Sequence, residues 1–522
     1  MYAEGAGIAR QIPSAVAVPR DADDVVALAI WANRTRTPLV PRGSGSGMAG
    51  GAVGSGVIVD LSRLNEIGVV DKAARRIFVA PGAIRGEIDR RAREQGLRFP
   101  VDPSSGVFCT IGGMVATNAA GARTLRFGAT RRWVSALDCV FSDGTRATIR
   151  RREAIPVHLP VLLRLVELHS ALFRDGEVAA LTGNFKHVGI RKESSGYALG
   201  GDLIDLLVGS EGTLALFVGV ELELAPVPAA TASILSAYSS LEAAVDAAAA
   251  AREAGASACE LLERTFLEVA ARESELPLPP NSAAVLLIEV EGHDVGDVAE
   301  RTRDLGQACT RAGATAVTLA LDADAELRIW HLRHAASPIL ARLDPALKSM
   351  QFIEDGCVPP ERLPSYVRGV RDALAAQQIR GVIFGHAGDA NIHVNPLIDV
   401  RLPGWRDRVA LLLEEVVALT AELGGTLTGE HGDGRLRTPL LNRVWPASAL
   451  STFASVKECL DPYGILNPGV KVPLSGQISL DEIKYDPALT PLPAAARSAL
   501  DEVELKRAYA QFRLDLLHEH PG

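Results

Sequence analysis

The sequence predicts an α+β protein built from a glycine-loop domain in two parts with an inserted α+β cap. Three observations predict this. The chain has 522 residues, more than one ordinary core organises. Its first part alternates short apolar strands with glycine-rich loops, and after Leu224-Ala225-Pro226-Val227-Pro228 the texture changes to alanine-rich helices alternating with strands. From Gly425 to Pro473 the glycine-containing, loop-rich character returns. The expected divisions are 1–225, 226–424, a returning segment 425–473, and a tail 474–522 that reads as an appendage for docking.

Taken in order, residues 21–33 place Val25, Leu28, Ala29 and Ala32 at helical spacing behind an acidic first turn, the pattern of an amphipathic helix. A strand at 38–40 precedes the glycine stretch 41–56, and 57–61 is an apolar, β-branched run suited to a buried strand. A helix over 84–94 stacks Ile84, Ile88 and Ala92 and stops at Gly96. In the cap, 241–255 reads as helix and 285–290 as strand, Arg333 falls on a helix and Lys348 on a strand over 348–353. Residues 150–182 read as an insertion, and the tail carries Pro487, Pro491 and Pro493 before a charged helical stretch at 501–517.

Composition narrows the function classes. With 48% hydrophobic and 22% charged residues and no run of about 20 apolar residues, the chain has no membrane span. Acidic residues outnumber basic ones 63 to 54, for a net charge of −9, and no basic cluster interleaves with aromatics, so a nucleic-acid role has no electrostatic footprint. Cys109, Cys139, Cys259, Cys309, Cys357 and Cys459 share no cluster or metal-ligand spacing. Sparse thiols and the lack of a signal core at the N-terminus point to the cytoplasm, with at most peripheral membrane contact. Structure is expected from Pro13, Pro19 and Val25 onward, so early that further residues upstream are expected as well.

Three polar-glycine stretches carry the first chemistry. Pro41, Arg42, Gly43, Ser44, Gly45, Ser46, Gly47 and Met48 offer successive backbone N–H groups unscreened by side chains, as a pyrophosphate requires. No Gly-Lys-Ser/Thr closes this loop and a strand follows it, which excludes a Walker loop and a dinucleotide fingerprint. The second stretch holds Pro103, Ser104, Ser105, Gly112, Gly113, Thr117, Asn118 and Gly121, and the third Glu211 and Thr213. Stretches so polar and so far apart are suited to embrace the two ends of one long cofactor.

The second chemistry lies in the cap and the returning segment. Residues 385–393 read as a hairpin with Asp389-Ala390 as a two-residue turn. That register sets His386 directly opposite His393, close enough to share a metal, with Asn391 and Asn395 on the face of His393. In Thr428-Gly429-Glu430-His431-Gly432-Asp433-Gly434, Glu430 can complete the site and His431 is left as a general base. Arg333, Ser337 and Lys348 gain interest only as carboxylate binders.

Together these features resemble the D-2-hydroxy-acid dehydrogenase branch of the FAD-linked oxidases, which includes D-lactate dehydrogenases, the flavin subunit of glycolate oxidase and D-2-hydroxyglutarate dehydrogenase. The resemblance runs over about residues 10–473. It rests on the first two glycine stretches, on Gly-His-x-Gly-Asp-x-Asn-x-His at 385–393, on Gly-Glu-His-Gly-Asp-Gly at 429–434, and on Pro462-Tyr463-Gly464-Ile465-Leu466-Asn467-Pro468-Gly469. It implies a two-part FAD-binding domain of the vanillyl-alcohol-oxidase type, also called PCMH, and a substrate cap with ferredoxin-like elements. By that likeness His386, His393 and Glu430 match metal ligands, His431 the base, and Asn391, Arg333, Ser337 and Lys348 substrate contacts, with Asn467 against the flavin. The first loop lacks histidine, so the resemblance implies non-covalent FAD, and the N/N/O ligands suit zinc first, with manganese or iron as alternatives. The expected reaction is oxidation of a small D-2-hydroxy acid of the lactate, glycolate or 2-hydroxyglutarate type. A separate iron–sulfur or electron-transfer subunit is the expected partner. Alternatives are a flavin-bearing subunit acting chiefly in such a complex, and a metal hydrolase, which leaves the glycine loops unexplained.

Overall fold

The computed structural model describes residues 1–174, 187–270, 279, 282–334 and 346–516. The first domain holds two sheets. In the smaller, Val57–Asp60 lies between Ala15–Ala17 and Leu39–Arg42, all parallel. Such strands are covered on both faces, which is why 57–59 reads as an apolar run, and the buried Asp60 that follows accepts from the Tyr2 hydroxyl. The helix Ala22–Thr35 buries Val25, Ala29 and Ala32 against it, and Asp21 caps that helix by accepting from the Asp24 N–H. The second sheet is antiparallel, in the order Arg76–Val79, Leu216–Glu223, Val134–Val140, Arg146–Arg150. The returning segment rejoins this domain at Leu466, which bridges Leu39, and Ile465 and Leu466 enter the same apolar cluster as Leu39 and Val57.

The cap is an eight-stranded sheet. Its first half runs Ala314–Ala320, Ala230–Tyr238, Ala284–Gly292, Ala258–Glu263, all antiparallel neighbours. Numbered by sequence within the cap, that order is 4-1-3-2, with the helices Leu241–Glu253 and Val295–Arg311 as crossovers, the ferredoxin-like arrangement. Arg380–His386, Asn391–Asp399 and Leu347–Ser349 extend the sheet, and Gly356–Cys357 pairs with Asn391–Asp399. Ala284–Gly292 is buried along its whole length. Its two inward carboxylates face the first domain, where Glu289 takes Arg123 at 2.6 Å and Glu291 takes Arg98 at 2.6 Å. These pairs fix the cap over the glycine loops.

Four expectations are corrected. The hairpin loop is a four-residue turn, Ala387–Asp389 in 3-10 form followed by Ala390 in the left-handed region, so His386 stands opposite Asn391 and His393 opposite Phe384. The strand over 348–353 shrinks to Leu347–Ser349. The tail helix is Ala494–Lys506, ended by Arg507 in the left-handed region, and does not continue to 517. Nor is the tail an appendage. Ile483 bridges Ala9, Arg10 donates to the Glu482 carbonyl at 3.0 Å, and buried Arg513 donates to the Ser44 carbonyl at 3.1 Å. The stretch expected as an insertion contains the helix Pro160–Arg174, whose Val161 and Leu162 share a core with Phe453 and Val456; residues 175–182 lie outside the described residues. Among the described residues no helix is long and apolar enough to cross a membrane.

Candidate active site

One large cavity, about 1470 Å³, runs between the first domain, the cap and the tail. It exceeds the roughly 300–1,000 Å³ of an ordinary small-molecule pocket. The three glycine stretches line it together: 41–49 from the first, Pro103, Ser104, Ser105, Gly112, Gly113, Thr117 and Gly121 from the second, and Glu211 from the third. Among the described residues, no protein acceptor takes the backbone N–H groups of Ser44 to Met48. A row of free donors on a cavity wall is the chemistry a diphosphate needs, so the residues present fit FAD.

Local sequence explains the wall. A Cβ at Gly43 would lie 2.0 Å from Thr110 Oγ1, so the first two stretches touch only because this residue has no side chain. A Cβ at Gly121 would lie 2.1 Å from the Asp102 carbonyl oxygen, a backbone atom that cannot rotate away. We expect Gly121→Ala to introduce about 1–3 kcal/mol of strain and to weaken flavin retention about 10- to 100-fold, read as the flavin-to-protein ratio after desalting. The second stretch is not loop throughout: Ile111–Thr117 is a helix, capped by Thr110 and closed by Asn118 in the left-handed region.

Several residues expected against the cofactor support the wall from behind. Arg42 is buried and donates to the carbonyls of Tyr2, Glu4 and Ala52, the shortest at 2.8 Å. Burial first, then neighbouring Arg513, pulls its pKa to about 10. Asn118 accepts from the Arg131 N–H at 2.9 Å, and Thr213 donates to the Ser210 carbonyl at 2.6 Å. Asn467 donates to the carbonyls of Gly51 and Glu211 at 3.0 and 2.7 Å. Asn118, Thr213 and Asn467 do not line the cavity. Glu211 does, and also accepts the N–H groups of Asp433 and Gly434 and pairs with Lys471 at 3.1 Å.

At the cap end the metal candidates converge. His386 Nε2 and His393 Nε2 are 3.2 Å apart, and Glu430 Oε1 lies 3.2 Å from the first and 3.3 Å from the second. Ligands held about 2.0–2.1 Å from a tetrahedral ion are spaced about 3.3–3.4 Å from one another, so the triangle fits one face of such a site. The histidines meet diagonally rather than face to face, a separation that long side chains still bridge. Their outer nitrogens are committed: His386 Nδ1 to Glu260 at 2.5 Å, and His393 Nδ1 to the Glu354 carbonyl at 2.9 Å. Each commitment turns Nε2 inward as a lone-pair donor. Burial works against the Glu430 charge, but Lys192 and His386 hold its carboxyl well below the ordinary range.

His431 stands beside this triangle. Its ring stacks on His393 at 5.2 Å, its Nδ1 is 2.6 Å from Glu354 Oε2, and its Nε2 is 3.7 Å from Glu430 Oε1. Burial lowers its pKa, but the Glu354 and Asp355 carboxylates outweigh burial and push it up to about 10. Arg437 pairs with the other oxygen of Glu354. Asp355, fully buried, holds the loop itself by accepting from Thr428 Oγ1 at 2.7 Å, the His431 N–H at 2.8 Å, the Glu430 N–H at 3.1 Å and Asn391 Nδ2 at 3.1 Å.

The expected substrate contacts divide. Arg333 and Lys348 line the cavity; Arg333 pairs with Glu260 at 2.7 Å, and Lys348 lies 5.7 Å from the Tyr485 ring of the tail. Asn391 is fully buried behind the wall on Asp355 and does not line the cavity, whereas Asn395 does. Ser337 lies outside the described residues. Sequence reading missed Lys192, Glu260, Glu354, Asp355 and Arg437. The available signals were Glu354-Asp355-Gly356, two acids before a glycine, and Arg191-Lys192-Glu193-Ser194-Ser195-Gly196, a charged run ending at a glycine.

Comparisons with known proteins agree with this architecture. The family model of the FAD binding domain matches residues 13–150, and that of the FAD linked oxidases C-terminal domain matches 227–470. The chain is 30% identical to the glycolate oxidase subunit GlcD of Bacillus subtilis (strain 168), over 88% of this chain and 89% of that one. It is 28% identical to a D-lactate dehydrogenase of Archaeoglobus fulgidus, over 87% and 90%. Among solved structures, the 4-ethylphenol oxidase of Gulosibacter chungangensis in its isoeugenol complex superposes with a TM-score of 0.64 at 15% identity, over 88% of this chain and 90% of that one. That likeness shows the vanillyl-alcohol-oxidase-type fold. With two glycine walls, a ferredoxin-like cap and this extent of shared sequence, the chain belongs to the FAD-linked oxidases, in the branch of the FAD-dependent D-2-hydroxy-acid dehydrogenases.

Proposed function

We propose that this enzyme oxidises a small D-2-hydroxy acid of the lactate, glycolate or 2-hydroxyglutarate type to its 2-oxo acid by metal-assisted hydride transfer. The observation that carries the proposal is the His386, His393 and Glu430 triangle, with His431 beside it, on the same cavity as the glycine cradle. Bound flavin supplies an acceptor for two electrons as hydride from the substrate C2. A divalent ion held by His386, His393 and Glu430 supplies positive charge where negative charge develops on the substrate oxygen. Zinc suits this N/N/O set first, with manganese or iron as alternatives.

The remaining roles fall to the chain. With a cation in the triangle to offset the Glu354 and Asp355 carboxylates that push its pKa up to about 10, His431 Nε2 is free to take the hydroxyl proton as C2 loses its hydride. The acid thus gives up two hydrogens and two electrons. Glu354, on Nδ1, orients the ring and stabilises the imidazolium that proton removal creates. Lys348, and Arg333 from its pair with Glu260, offer the donors that orient the substrate carboxylate. Electrons would leave to a separate electron-transfer subunit; a relative named as a glycolate oxidase subunit supports this, as does the scatter of the six cysteines, none of them disulfide-bonded.

Anaerobic mixing of the holoenzyme with both enantiomers of a panel of 2-hydroxy acids tests the reading. Bleaching of the flavin by D-enantiomers is expected, and a flavin that no 2-hydroxy acid bleaches would overturn it.

A further inference from the structure

Lys192 takes no part in the proton transfer just described, yet its side chain has no exposed surface and ends at the metal triangle. Its Nζ lies 2.8 Å from Glu430 Oε2 and 3.3 Å from the Gly121 carbonyl oxygen, so one ammonium joins the candidate metal ligand to the cofactor wall. The neighbouring Ser194 repeats the link, its N–H donating to Thr428 O and its hydroxyl to Gly429 O, both at 3.1 Å. The two oxygens of Glu430 thus have separate partners: Oε1 faces the histidines and Oε2 faces Lys192.

The charges around Lys192 decide what this does. Besides Glu430, the acids that act on it are Asp389 and Glu260. Asp389 pairs with Arg191 at 3.2 Å, and Glu260 with Arg333 and His386. That leaves the Glu430 charge for Lys192 to offset. Resting on the metal reading above, we propose that Lys192 is a positioning and charge-setting residue: by cancelling Glu430 it leaves the full double charge of a divalent ion to be matched by the substrate. The substrate reaches two negative charges, carboxylate and deprotonated hydroxyl, when its proton passes to His431. A cation beside a cation also weakens the hold on the ion. The site therefore binds its metal less tightly than a bare His-His-Glu set would and stabilises the doubly charged substrate more.

Two variants of the FAD-loaded enzyme separate charge from geometry. Lys192→Met removes both charge and donor, whereas Lys192→Gln keeps a donor for Glu430 and Gly121 and removes only the charge. Zinc affinity is measured by competition with a chromophoric chelator, and flavin reduction by anaerobic stopped flow at saturating D-2-hydroxy acid. Both variants are expected to bind zinc at least about tenfold more tightly and to reduce flavin at least about tenfold more slowly. Should Lys192→Met fail to fold, Lys192→Gln carries the test. Unchanged or weaker zinc binding in Lys192→Gln overturns the charge role. A wild-type enzyme that takes up neither zinc nor manganese nor iron would overturn the metal reading itself, a result distinguishable from that one.

Discussion

His431→Ala is expected to slow flavin reduction by about 100- to 10,000-fold, the span that a positioned general base contributes, while FAD content stays at the wild-type level. The flavin result follows from the geometry: His431 leans on Glu354 and His393 and contributes nothing to the glycine walls. The rate result follows from isolation. His393 and His386 have both ring nitrogens committed within the triangle and its support, so neither can replace a lost His431. Anaerobic stopped flow with saturating substrate reads the reduction step alone. A variant that bleaches at the wild-type rate would remove His431 from the proton path and leave the hydroxyl proton to solvent.

Removing the ion is expected to cost several kcal/mol of transition-state stabilisation, on the order of 1,000-fold in flavin reduction. Dialysis of the holoenzyme against a chelator and His386→Ala should reach this result independently. His386→Ala also frees Glu260 from its 2.5 Å partner and leaves that buried carboxylate to Arg333 alone. Restoring zinc should therefore rescue the dialysed enzyme and not the variant. Metal content by elemental analysis, set against the rate, checks this; full activity in enzyme freed of metal would contradict it.

The parts of this molecule that sequence exposes are those whose chemistry is local. Consecutive small residues mark 41–48 as a cavity wall with open backbone donors, and the parallel strands beside it announce their double burial as apolar runs. The candidate ligand triad was legible for a related reason, with His386 and Glu430 each directly after a glycine and His393 seven residues beyond His386. The hairpin register was not, because it turns on Ala390 adopting the left-handed region, which alanine's composition does not signal. The charges that tune the site were hidden by distance. Glu260, Glu354 and Lys192 reach His386, His431 and Glu430 across 126, 77 and 238 positions, and no periodicity marks such a pairing. Asn118, Thr213 and Asn467 are polar residues among glycines that read as ligand contacts, and in the fold their amide and hydroxyl groups bind the backbone of the walls. The tail misled by composition, since prolines and charges suggest a linker, whereas Arg513 ties it to the Ser44 carbonyl and Tyr485, Arg497 and Arg507 line the cavity.

Anomalous scattering at the zinc edge, from crystals of the FAD-bound enzyme grown with zinc and a 2-hydroxy acid, tests the central claim most directly. One strong peak is expected, bounded by His386 Nε2, His393 Nε2 and Glu430 Oε1, on the cavity lined by the glycine stretches. A peak among Glu354, Asp355, His393 and His431 instead, the other set of side chains close enough to share an ion, would contradict it, as would no peak in the cavity at all.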